Sequence, residues 1–307
     1  MYNPDLPAPE LGVFYDLPFE KYQEINATST SEILKFRAPT PAHARVELAK
    51  NKKTDSLILG SLVDHLIQPN NPSRLPYAFV PPGTSFATTA GKKLRDELIF
   101  EGYAKEEILK GDELDKAKTM VERLNAVKRF TGLVERATAW QVSIVWKNQF
   151  GYRRARFDLL TEELEAQVIV DVKTAAYQYL NHFKSQQQFW EHGYFTKAAA
   201  YLEAAYHADF DVQDFIIAAV ESDEPFATRV ESLEPQSIAI GKIELEELER
   251  MASYCIANND FRAYAEGDRF SAPKWAKERY LPSEDLGSTK RNVERVSADD
   301  LIEELAQ

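Results

Sequence analysis

The spacing of apolar residues changes character partway along the chain. Through residue 130 they recur three or four apart, the period of a helix that buries one face. From Val142 onward they alternate with polar residues, the period of a half-buried strand. The clearest helical stretch is 112–130, with Leu114, Ala117, Val121, Leu124 and Val127 on one side. Residues 57–67, L-I-L-G-S-L-V-D-H-L-I, are apolar almost all round and predict a buried helix that stops before Pro69. Upstream, Ser29 and Glu32 have the spacing of a capping box and predict a short helix over 28–37, broken by Pro39 and Pro41, after which 42–50 form a second helix.

In the alternating part, Val142, Ile144 and Trp146 define one strand, N-Q-F-G turns the chain, and Y-R-R-A-R-F-D-L-L (152–160) returns. The connection T-E-E-L-E-A-Q leads to a third strand, V-I-V-D-V-K-T (168–174). Residues 178–206 read as helical, 213–220 and 226–233 as two strands around D-E-P, and 243–258 as a helix with Leu245, Leu248, Met251, Ala252 and Cys255 on one face. Residues 1–27 predict an irregular, Pro-rich segment; 69–91 a long surface loop; and 91–110 a charged helical stretch. The main domain is expected over 28–282. From 283 to 307 apolar content falls, predicting a flexible acidic tail whose last residues form at most one short helix capped by Ser297.

Composition narrows the class. With 307 residues, 44% of them hydrophobic, the chain is long enough for one large core. A single cysteine, Cys255, forbids an internal disulfide and fits a reducing compartment, and with no apolar run of membrane-spanning length and no secretory signal the expectation is a cytoplasmic protein. A net charge of −12 argues against a protein that coats DNA, but it leaves room for an enzyme with a local basic channel and metal ions that screen its carboxylates.

The candidate chemistry lies in the third strand. Asp171 and Lys173 are two apart, so they share a strand face at the end of a run that must be buried. Asp158 ends the preceding strand at a chain distance suited to pairing beside them, and Asp64 lies on the buried helix upstream. Two or three carboxylates with one lysine suit a hard divalent cation, Mg²⁺ or Mn²⁺, acting on a phosphodiester. A lone D-x-K is common at strand edges; the order acidic helix, Asp strand, D-x-K strand, helix is the more specific signal. The histidines at 43, 65, 182, 192 and 207 have no zinc spacing, and the chain has no P-loop, no dinucleotide fingerprint and no nucleophile elbow. Arg153, Arg154 and Arg156 precede Asp158; Arg154 and Arg156 share its face and could hold a DNA phosphate, the alternative being salt bridges to nearby glutamates. Ser29, Ser31, Lys35 and Arg37 are candidates for a 5′ phosphate at the first helix.

Several stretches together resemble the phage and prophage exonucleases of the exodeoxyribonuclease VIII (RecE) type, within the PD-(D/E)XK nuclease superfamily. They are S-T-S-E-I-L-K-F-R-A-P-T-P-A-H, L-G-S-L-V-D-H-L-I, A-G-K-K, R-A-R-F-D-L-L, I-V-D-V-K-T, H-G-Y-F-T-K-A-A-A-Y-L-E-A and A-P-K-W-A, spanning residues 28–277. The resemblance implies an α/β fold with a PD-(D/E)XK nuclease-like core, a small mixed twisted sheet flanked by helices. It implies metal held by Asp158 and Asp171 with Asp64, and Lys173 orienting or deprotonating the attacking water. The implied activity is a metal-dependent 5′-to-3′ exonuclease on linear double-stranded DNA that leaves 3′ single strands for recombination by annealing. A ring-shaped homo-oligomer, a RecT-type annealing partner and a phage or prophage origin in a bacterial host are implied with it. The sequence departs from the family pattern twice. Four residues after Gly60, where the family has His, stands Asp64, with His65 one later; a carboxylate is the natural ligand for Mg²⁺, so Asp64 is favoured and His65 is the secondary candidate. Where related nucleases place Gln four residues before Tyr, this chain has Lys197 before Tyr201; Lys197 either meets a phosphate or is a solvated helix lysine, and Tyr201 either lines the site or is core. Alternative readings are a RecB-like or endonucleolytic relative and a non-cutting DNA-binding scaffold of the same fold.

Overall fold

The computed structural model describes residues 1–264 except 51–53, 70, 72, 82, 177 and 178. Met1–Ala263 form one compact unit. In chain order the elements are β1 (Gly12–Phe14), α1 (Phe19–Glu24), β2 (Thr28–Ser29), α2 (Thr30–Leu34), α3 (Pro41–Ala49), α4 (Asp55–Leu66), β3 (Ala78–Val80), α5 (Thr89–Phe100), β4 (Ile108–Lys110), α6 (Glu113–Asn125), α7 (Lys128–Glu135), β5 (Ala137–Asn148), β6 (Gly151–Glu163), β7 (Ala166–Ala175), α8 (His182–Glu191), α9 (Tyr194–His207), β8 (Val212–Glu221), β9 (Thr228–Ser232) and α10 (Pro235–Asn258).

The expected α/β fold is present: a mixed, mostly antiparallel sheet in the order β1-β5-β6-β7-β8-β9, with β2 attached to β6 and helices on both faces. β5, β6 and β7 form the expected meander, and β7 pairs with β8 in parallel. One face buries Leu159, Val170, Val172 and Ile216 against Leu59, Leu62 and Val63 of α4 and Met120 and Leu124 of α6. The other buries Phe157, Leu160, Ile169 and Phe215 against Ala198, Tyr201 and Ala205 of α9. Burial on both faces is why β7 reads as a near-continuous apolar run. A third cluster joins α2, α3, α9 and α10 through Ile33, Phe36, Ala44, Ala199 and Leu248. At Gly241 an added Cβ would fall 2.4 Å from the Phe195 backbone, so glycine lets α10 lie hard against α9.

The structure corrects several expectations. Residues 1–27 hold β1 and α1, and β1 is the antiparallel edge strand beside β5. The 69–91 loop contains β3, which pairs with β4. The 112–130 stretch is two helices, α6 and α7, and 178–206 is also two, broken where Gly193 adopts φ +70°. The buried helix is less buried at its start than its composition suggests: Leu57 is 59% exposed, while Leu62 and Val63 are fully enclosed. α10 begins at Pro235, and Met251 lies off its buried face. The acidic tail, Ser297 and the A-P-K-W-A segment lie outside the described residues. Among the described residues no helix is long and apolar enough to cross a membrane.

Candidate active site

The centre of the sheet holds a fork. β6 and β7 pair from Leu159 with Val170 outward to Glu163 with Ala166, a ladder closed by a tight turn at Leu164 and Glu165, both at positive φ. In the other direction the strands part. β6 continues beside β5 and takes β2 as a parallel neighbour at Arg153 and Arg154, while β7 continues beside β8. Asp158 and Asp171 are the first residues past the last β6–β7 pair. There the ladder bond is replaced by a side chain: Val172 N–H donates to Asp158 Oδ2 at 2.9 Å.

Asp171 is fully buried, and two ammonium groups reach it. Lys173 Nζ lies 2.5 Å from Oδ2, and Lys197 Nζ, from α9, donates to Oδ1 at 2.8 Å. Burial raises the Asp171 pKa, but the two lysines outweigh it and hold the carboxyl at about 2. Lys173 also donates to the Val172 carbonyl at 2.8 Å and stands 5.9 Å from the Tyr194 ring centroid. Burial works against the charge on Lys197, but Asp171 and Asp158 outweigh it and raise its pKa. Asp158 and Asp64 are raised, first by burial and then by the negative charge of neighbouring carboxylates, Asp171 for Asp158 and Asp158 for Asp64.

The sequence-predicted residues therefore separate into two groups. Asp158, Asp171, Lys173, Lys197 and Asp64 share one electrostatic site. Asp64 is turned toward it, because the charges of Asp158, Lys173 and Asp171 all act on it. His65 is turned away: only burial shifts its ring, which lies 3.4 Å from the Asn71 amide. Tyr201 is buried in the core between Phe157 and Phe215, with Lys197 Nζ 4.9 Å from its ring centroid. Arg154 and Arg156 do not offer their guanidinium groups to a cleft. Arg154 Nη1 donates to the carbonyls of Tyr22, Gln23 and Ile25 at 3.2, 2.8 and 2.6 Å, and Nη2 pairs with Glu32. Arg156 donates to Leu17 O at 2.6 Å and to the side chains of Gln141 and Ser143. Both fasten residues 17–25 over β6, which corrects their expected role as phosphate contacts. Arg153 pairs instead with Glu249 at 3.0 Å inside the protein. Ser31 is exposed on α2, with the Ser29 hydroxyl 3.1 Å away; Ser29 itself caps that helix. Arg37 is held by the carbonyls of Trp190 and Glu191 and by Glu244.

Sequence reasoning missed how Lys197 acts, since its pairing with Asp171 joins residues 26 apart and leaves no local pattern. Tyr194 and Tyr22 were also missed, as neither stands in a motif.

Among the described residues no three His, Cys, Asp or Glu side chains converge as a ready ligand set. Lysines occupy both oxygens of Asp171 in its place. The donors nevertheless suit a hard cation. Three carboxylates face two ammonium groups, Asp158 and Asp64 are raised first by burial and then by a neighbouring carboxylate, and buried Asp171 Oδ2 has no aligned hydrogen bond. Asp158, Asp171 and Asp64 are the residues that would hold such an ion.

Comparison with known proteins agrees with this architecture. A solved structure from Eubacterium rectale, described as a "Putative exonuclease", superposes with a TM-score of 0.54 at 16% identity, over 87% of this chain and 99% of that one. At that identity the likeness is one of fold. The structure of SSO0001 gives a TM-score of 0.29 at 13% identity over 75% and 94% of the two chains, and that of VC1899 from Vibrio cholerae gives 0.23 at 10% over 81% and 60%. Comparison with curated proteins found no match. Residues 29–267 match the family described as "PDDEXK-like domain of unknown function (DUF3799)", and the chain, whose Asp158, Asp171 and Lys173 meet at the sheet fork, belongs to that family.

Proposed function

We propose that this protein is a metal-dependent deoxyribonuclease, a 5′-to-3′ exonuclease of the RecE type that degrades one strand from the ends of linear double-stranded DNA. The observation that carries the reading is the placement of Asp171, enclosed and ionised, between two lysines at the point where β6 and β7 part. Asp158, Asp171 and Asp64 would hold Mg²⁺ or Mn²⁺. A cation bound there lowers the pKa of a coordinated water and takes up negative charge developing on the phosphate. Lys173, on the same strand face as Asp171, would position the attacking water as a hydrogen-bond donor, and would take its proton only after giving up its own to solvent. Lys197 keeps Asp171 ionised and, when released, faces the phosphate as a point charge. Tyr194 and Tyr201 wall the lysines in and limit the water around them.

Cleavage of linear duplex from its 5′ ends leaves 3′ single strands, the substrate of a RecT-type annealing partner in recombination. A ring-shaped homo-oligomer around the duplex and action within a bacterial host on phage or prophage DNA complete the proposal. The test is product analysis on linear duplex labelled separately at each 5′ and 3′ end, with Mg²⁺, beside a closed circular duplex. Loss of the 5′ label first, as mononucleotide, with the circle intact, is the expected result. Cleavage of the circle would indicate an endonuclease instead, and absence of product at any Mg²⁺ or Mn²⁺ concentration would overturn the reading.

A further inference from the structure

The outer face of α10 carries apolar side chains that the proposed chemistry does not use. Leu245, Leu248, Ala252 and Cys255 hold the helix to the body, packing with Ile33, Ala44 and Ala199. On the other side Ile240 is 53% exposed, Ile243 63%, Tyr254 53% and Met251 40%. A surface helix ordinarily turns charge outward there. Ile240, Ile243, Glu247, Arg250, Tyr254 and Ala257 are all exposed and follow one another at alternating steps of three and four, the heptad spacing that keeps a seam on one face. Glu244 and Glu249 pair inward with Arg37 and Arg153, and these are the helix's ion pairs among the described residues. Lys242, Glu246, Glu247 and Arg250 remain at the surface, two of each sign.

The seam is complementary to itself when reversed. Set antiparallel about a point between Leu248 and Glu249, Glu247 of each copy faces Arg250 of the other, Ile243 faces Tyr254 and Ile240 faces Ala257. A parallel pair would set Glu247 on Glu247 and Arg250 on Arg250, which like-charge repulsion opposes. Nucleic acid does not suit a face of balanced charge, since it needs a basic excess. We propose that α10 joins two copies of this chain as an antiparallel, two-fold pair, with apolar contacts at each end of the seam and crossed Glu247–Arg250 ion pairs at its centre. Such a contact is isologous and closes after two copies, so it is not the head-to-tail contact that builds a ring; it pairs single chains or whole rings. From Ile240 to Ala257 the seam is about 27 Å long at about 1.5 Å per residue, so the pair belongs to the small, reversible class. The inference stands apart from the nuclease reading.

The test is sedimentation velocity on the full chain over a concentration series, combined with exchanged charges. The wild-type mass should double reversibly as concentration rises. Glu247→Arg alone and Arg250→Glu alone each create like-charge contacts at both symmetric positions and should weaken the pair at least about tenfold. Mixing those two variants should restore it, as should the double exchange in one chain, and restoration excludes misfolding as the cause of the loss. Ile243→Cys mixed with Tyr254→Cys should crosslink on oxidation while neither does alone, because like positions lie about 16 Å apart along the axis. The native Cys255 is buried. Wild type that keeps one mass at every concentration, single exchanges without effect, a mixture that fails to recover, or Ile243→Cys crosslinking to itself overturns the proposal. Cleavage of linear duplex, measured on the same samples, decides the nuclease reading separately.

Discussion

Replacing Lys197 by Met removes one of the two ammonium groups that hold Asp171. The carboxyl sits at about 2 against an ordinary 3.8, which is on the order of 2 kcal/mol in favour of the ionised form. That net figure is what Lys173 and Lys197 jointly contribute after burial is overcome, with Lys173 the larger of the two. Removing one partner of a buried pair costs about 3–5 kcal/mol when nothing replaces it, and Asp171 still keeps Lys173. The expected loss is therefore about 1–3 kcal/mol at pH 7, read by urea unfolding in chelator with unchanged slope. The pH dependence has a definite sign. A carboxyl whose folded pKa is depressed adds stability above its unfolded pKa and loses it as pH falls through the folded value, so wild type gives up this contribution between about pH 4 and 2. In Lys197→Met the Asp171 pKa rises, and acid unfolding should begin at higher pH. Mg²⁺ should raise the melting temperature of this variant more than that of wild type, because the ion has one fewer ammonium to displace. A Lys197→Met protein within about 0.3 kcal/mol of wild type, with the same acid midpoint, would refute the claim that this lysine holds Asp171.

Four further outcomes are expected. Asp171→Asn and Lys173→Ala should each abolish cleavage of linear duplex while circular dichroism still reports a folded protein, and full activity of either would reject the site. Chelator should stop cleavage and added Mg²⁺ or Mn²⁺ restore it, checked by gel assay on one sample. Arg154→Ala leaves three carbonyls without their donor and should cost about 2–4 kcal/mol, with proteolysis appearing first within residues 1–27. Glu249 is raised to about 7 by burial, despite Arg153 beside it, so the folded state binds the extra proton and stability should fall by up to about 3 kcal/mol as pH rises from about 4.5 to 7; Glu249→Gln should flatten that dependence in urea unfolding.

The sheet was legible because its signals are local. Alternation at Val142, Ile144 and Trp146 shows a strand with one face buried, and V-I-V before Asp171 shows one with both. Asp171 and Lys173 share a face by strand period alone, and ligand chemistry prefers Asp64 over His65, with the charges of Asp158, Lys173 and Asp171 acting on Asp64. What stayed hidden depends on contacts between distant elements. Strand period places Arg154 and Arg156 on a face but says nothing of what covers it, and the cover is the N-terminal segment that its prolines made look irregular. The Leu164–Glu165 turn has neither Gly nor Asn at its positive-φ positions, so the tight hairpin carries no turn signature. The two-lysine grip on Asp171 depends on α9 reaching across the sheet, which no spacing within one segment reports.

The hydrogen bond from Val172 to Asp158 bears on the choice of an inactive control. Alanine at 158 would remove a carboxylate and also strand a main-chain donor at the only place where these two strands separate, so inactivity there would confound lost reaction with lost shape. Asparagine retains an acceptor for that donor while discarding the negative charge. The pair Asp158→Asn and Asp158→Ala thus reports how much of this position's worth is architecture and how much is chemistry.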